Sequence, residues 1–134
     1  GCAHGMLFIQ LPSGRRIAYA KPQIGENRFG GESITYMGMD QVKRKWCRLE
    51  TYGGKQVENT VQATTRDCLG YAMLNLYDAG YPIVMHIHDE VVMDTPNGCG
   101  SLDDVCRIMS QPIPWAKGLI LNADGFESPY FKKD

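Results

Sequence analysis

His86, His88, Asp89 and Glu90 place two imidazoles and two carboxylates within five consecutive residues. Carboxylates suit hard divalent cations, and imidazole serves as a metal ligand or a proton carrier. Apolar runs flank the group, Ile83 to Met85 before it and Val91 to Met93 after it. The pattern predicts two short strands joined by a very tight turn at His88-Asp89. Such turns want positive φ at their centre, where Gly fits best and His and Asp are tolerated better than most residues. A chain that places an imidazole and a carboxylate there can be storing strain for a purpose. Asp89 would then stand clear of both strands, within reach of a metal. Turn propensity alone also explains an Asp at this position, so a solvated tip remains the plain alternative.

Two other groups carry chemistry. Glu58, Gln62 and Arg66 stand four apart, which lines them up along one face of a helix. An acid, an amide and a guanidinium in a row can hydrogen-bond a nucleic-acid strand, or can support one another as ordinary exposed helix residues. Lys43, Arg44, Lys45 and Arg48 surround Trp46, with Lys55 further on. An aromatic among cations can stack on a base; it can equally anchor a strand to the core while the lysines are solvated.

Elements must hold these groups in place. At 134 residues the chain is one domain or a piece of one, long enough to bury a core. Hydrophobic residues make up 43% and charged residues 22%, with a formal net charge of −1. That composition is ordinary for a globular chain and announces no global basic field. The charge is uneven, because acids crowd Asp89, Glu90, Asp94, Asp103 and Asp104. Five cysteines without a C-x-x-C pair argue against a disulfide framework and a zinc knuckle, and for a reducing compartment. With no long apolar run and no signal peptide, the expected location is cytoplasmic, with no membrane partner.

Met6 to Leu11 and Arg15 to Ala20 read as a hairpin about Pro12-Ser13-Gly14, and Pro22 to Gly31 as a loop. Ser33 to Met39 reads as a strand, with Val42 to Thr51 following. Val57, Val61, Thr65, Cys68, Ala72, Leu76 and Ala79 form one apolar stripe, predicting a helix over 56–79 that ends at Gly80 and Pro82. Ser101, Asp103 and Asp104 open a second helix running to about Met109. Leu119 to Ala123 reads as a last strand. Residues 1–5 read as an arbitrary cut or an added remnant, and Pro129 to Asp134 as a C-terminus.

The order of these segments resembles the C-terminal part of the polymerase region of family A DNA polymerases, closest to the phage and prophage branch. The resemblance rests on Leu11-Pro12-Ser13-Gly14-Arg15, Ile34-Thr35-Tyr36-Met37-Gly38, Thr51 to Lys55, and Glu58 to Asp67. It continues through His86 to Val92, Pro114 to Leu119 and Ala123 to Ser128. Each motif is weak alone, but all stand in the family's order from Leu7 onward. The resemblance implies that His88-Asp89-Glu90 is the third palm motif, with Asp89 a catalytic magnesium (Mg2+) ligand, Glu90 an auxiliary carboxylate and His88 near the primer terminus. Gln62 takes the position of a helix glutamine that contacts the primer–template minor groove. Bacterial repair members carry Asn and Arg where this chain has Glu58 and Gly54. Neighbouring Asn59 is left as a candidate contact beside Arg66.

Nucleotidyl transfer needs two divalent ions about 4 Å apart. The family's first palm motif and its fingers helix have no counterpart here. The resemblance therefore implies a fragment, 6–134, that is inactive alone and works with an upstream polymerase segment, primer–template DNA and dNTPs. The expected fold is α+β. It has an antiparallel palm-type sheet with a central hairpin at 83–94 packed by the helix at 56–79, and a separate layer from strands at 6–20 and 33–51. As a partial domain it should expose apolar surface and self-associate. Two other readings are a non-catalytic nucleic-acid-binding module built on the Trp46 segment, and a metal hydrolase using His86, His88 and Asp89.

Overall fold

The structure, a computed structural model, describes residues 1–133, so Asp134 of the expected C-terminal segment lies outside the described residues. The described chain divides into two compact units, Gly1–Thr64 and the part from Thr65 onward. Helix α1, Gly53–Asp78, is continuous across that division. The fold is mixed α+β, with antiparallel pairing throughout.

The first unit is built on a five-stranded meander in sequence order: β1 (Cys2–Ala3), β2 (Met6–Gln10), β3 (Arg16–Glu26), β4 (Glu32–Met39) and β5 (Trp46–Glu50). The Pro12-Ser13-Gly14 hairpin forms as its turn residues predict, closed by Leu11 N–H to the Arg15 carbonyl at 2.8 Å. Cys2–Ala3, within the stretch read as a remnant, pairs with Leu7 and Met6. The expected loop from Pro22 is corrected: β3 runs on to Glu26. A register shift between Ala20 and Gln23 makes this possible. Proline has no N–H to give a ladder, and a bulge is where a strand tolerates it. Leu11 and Tyr19 are buried here, and Tyr19 meets Tyr36 edge-to-face at 4.9 Å. Trp46 is 60% exposed on edge strand β5, so it does not anchor the strand to a core.

The stripe on α1 is buried only at Cys68, Ala72 and Leu76, with Leu69 buried beside it. Val57 and Val61 are 64% and 56% exposed. In the first unit the helix meets its neighbours through Asn59 and Ala63, bonded to the Tyr19 hydroxyl and the Arg15 guanidinium. Val57 and Val61 sit two residues earlier on the spiral, on the opposite side.

In the second unit α1 ends as its sequence requires. Gly80 has φ +87, the Gly80 N–H bonds the Tyr77 carbonyl, and the Tyr81 N–H bonds the Leu76 carbonyl. This is the paired closure that a left-handed glycine allows, with Tyr81 folding back on Leu76. The chain then enters β6 (Ile83–Ile87) and β7 (Glu90–Met93), a ribbon of its own. The hairpin is therefore not the centre of a larger sheet among the described residues. Helix α2, Leu102–Met109, starts at Ser101, whose hydroxyl accepts the Asp104 N–H. Leu76, Val105 and Ile108 form the buried cluster, joined by Tyr81, Ile83, Val91, Met93 and Met109. The strand expected at 119–123 does not form. Ile120 is 93% exposed, and no described strand pairs with this segment. A lone extended segment has no partner for its backbone groups.

Leu76 is fully buried. Leu76→Ala should cost about 2–5 kcal/mol in urea unfolding. The Tyr81 hydroxyl donates to Asp104 at 2.7 Å and Arg107 donates to the same carboxylate. Those two bonds hold the Asp104 carboxyl below its usual range, and the bond to Asp104 raises the Tyr81 phenol. The Asp104 contribution is therefore present above the ordinary carboxylate pKa and lost as pH falls through its depressed value. The Tyr81 contribution is lost only as pH rises through its raised value. Asp104→Asn should be destabilising at neutral pH, with the melting difference vanishing in acid.

Candidate functional site

The hairpin turn forms where the sequence predicts it. Ile87 pairs with Glu90, which leaves His88 and Asp89 as a two-residue connection. His88 takes φ +54, the positive region that an L-residue enters at a cost. His88, Asp89 and Glu90 are all exposed. Asp89 stands at the tip and Glu90 begins β7, so two neighbouring carboxylates are presented to solvent.

Arg66 comes to the same ribbon. Its Nη1 lies 3.1 Å from His86 Nδ1, and its Nη2 lies 3.4 Å from Nε2. A guanidinium only donates, so the ring nitrogen that carries no proton is the one that accepts. His86 pairs with Val91, and directly paired residues share a face. His86 is thus on the side of the ribbon that carries Val91 towards Leu76. Sequence spacing places Arg66 in a row with Glu58 and Gln62, but the row does not act as one. Glu58 pairs with Lys55 at 3.0 Å, Arg66 turns to His86, and Gln62 is exposed. Asn59, on the first unit's part of α1, donates its amide to the Tyr19 hydroxyl at 3.2 Å. That bond gives Asn59 a structural task, which sequence alone does not reveal because Tyr19 is 40 residues away.

The two imidazoles of the alternative metal-hydrolase reading are differently placed. His88 lies in the turn and His86 is engaged by Arg66. Among the described residues no group of three or more His, Cys, Asp or Glu could hold a metal ion. Asp89 and Glu90 are suitable oxygen donors, yet they do not make up a complete ligand set from the described residues. No described helix is long and apolar enough to cross a membrane.

His88→Gly should raise stability by about 0.5–1 kcal/mol, because relief of the positive φ outweighs the entropy that glycine adds to the unfolded chain. Paired urea titrations of wild type and variant would read this; a loss of stability would mean that the imidazole makes a compensating contact.

No protein-family model matches the chain, and no solved structure matches it. Among curated proteins, the DNA polymerase of Bacillus phage SP02 is 59% identical to it over 131 residues. The alignment covers 97% of this chain and 20% of that protein. The chain therefore spans about a fifth of the length of the curated relative it matches.

Proposed function

We propose that this chain is the C-terminal palm portion, residues 6–134, of a family A DNA polymerase. The observation that carries the reading is the 59% identity to a phage DNA polymerase along 97% of the chain. The exposed hairpin tip is compatible with it, since a catalytic carboxylate must be open to its substrate. In this reading Asp89 is one ligand for catalytic Mg2+, Glu90 is an auxiliary carboxylate, and His88 lies near the primer terminus. Magnesium, when bound in such enzymes, activates the primer hydroxyl and steadies the leaving phosphates. The residues here hold only part of such a site, so the remaining ligands and the nucleotide site come from the upstream polymerase segment.

Gln62, exposed on α1, would read minor-groove acceptors, which every base pair presents. This checks pairing geometry without demanding a sequence. Arg66 would act through His86 as a positioning residue for the ribbon. Asn59, tied to Tyr19, would contribute through its free amide valences. Primer–template DNA and dNTPs are the partners this reading assigns.

The test is replacement of the matching segment of the phage SP02 polymerase by this chain, with primer extension as the readout. The chimera should extend a primer, and Asp89→Ala should reduce extension at least about 100-fold. The chain alone should give none. A chimera that folds and extends equally well with Asp89→Ala would remove Asp89 from the catalytic site.

A further inference from the structure

The connection between β4 and β5 is a rigid tip that displays cations. Asp40 Oδ1 accepts the N–H groups of both Val42 and Lys43 at 2.9 Å. The Arg44 N–H bonds the Asp40 carbonyl and the Asp40 N–H bonds the Lys45 carbonyl, at 2.8 and 2.9 Å. Arg44 itself takes φ +50. These bonds fix a short turn from which Lys43, Arg44 and Lys45 all project into solvent. The only acid in the turn, Asp40, is occupied by backbone N–H groups, which hold its carboxyl below the usual range.

Trp46 follows directly and pairs with Met39 across the ladder. Both side chains are exposed, at 60% and 51%. Alternation along β5 puts Arg48 on the face of Trp46. The Arg48 guanidinium is held there by bonds to the Lys21 carbonyl and the Thr35 hydroxyl, both at 3.1 Å. The result is an exposed indole preceded in sequence by three exposed cations and followed, two residues on, by a tied guanidinium. An exposed indole next to cations suits a ligand that brings an aromatic ring and negative charge together.

We propose that the β4–β5 tip binds single-stranded DNA, with Trp46 stacking on a base and Lys43, Arg44, Lys45 and Arg48 meeting the flanking phosphates. Stacking on one exposed ring requires an unpaired base, which favours a single strand over a duplex. The inference stands on this local geometry and does not depend on the role given to Asp89.

The experiment is fluorescence titration of the full chain carrying Trp115→Phe, so that emission reports Trp46, against an oligo-dT, a duplex of equal length and anionic vesicles. Oligo-dT should quench the emission, with a log-log salt slope of about −2 to −3 for three to four phosphates neutralised. Lys43→Glu with Arg44→Glu and Lys45→Glu should weaken binding at least about tenfold and flatten that slope. Trp46→Ala, read by oligonucleotide anisotropy, should weaken it roughly tenfold and leave the slope in place. Lys117→Gln, which removes an exposed cation outside the tip, should bind as wild type, which separates this site from general electrostatics. Unchanged affinity in the charge-reversal and Trp46→Ala variants would overturn the proposal. So would vesicle binding without oligo-dT binding, which would make the tip a membrane-surface contact.

Discussion

The second unit depends on how α1 stops. Leu76 is fully buried, and its carbonyl takes the Tyr81 N–H that reverses the chain. One residue thus joins the end of a helix, the entry to a ribbon and the face of α2. The reversal itself needs Gly80 in the left-handed region, which a side chain would resist. Gly100 has a related task nearby. At φ +78, a Cβ there would meet the Tyr81 ring at 2.6 Å, so the segment before α2 can lie against Tyr81 only without one. The carboxylate tip is held at a distance by apolar packing, and its own residues contribute little to holding it.

That division of labour explains what the sequence reveals. The turn at His88-Asp89, the α1 stop at Gly80 and the Ser101 start of α2 are local matters of φ, caps and alternation, and all are readable in order. The apolar stripe is read correctly as a helix from Val57 to Leu76, although the helix ends at Asp78, before Ala79, and the stripe is not a buried face throughout. Periodicity reports which residues share a side, whereas burial depends on what arrives to cover them. Pro22 misleads in the opposite direction. It signals a break, yet the register shift beside it lets β3 continue to Glu26.

The candidate site shows the same limit. The place of Asp89 in the turn and of Glu90 at the start of β7 is legible because it follows from local sequence. The link between Arg66 and His86 is not, since it joins a helix to a strand 20 residues later. Asn59 and Tyr19 are further apart still. Such pairs leave no spacing signal, and only the folded backbone brings them together.

The register of the ribbon has one further consequence. Ile83 pairs with Met93 and Met85 with Val92, which leaves Val84 as an extra, 58% exposed residue. Ile83 and His86 are three positions apart, an odd interval that would set them on opposite faces of a regular strand. The extra residue restores the phase, so that both stand on the side of Met93 and Val91. Length is therefore negotiable at Val84, where losing one residue keeps every pairing. It is not negotiable between Met85 and the turn, where one residue more or less would swap inside for outside along the rest of the strand.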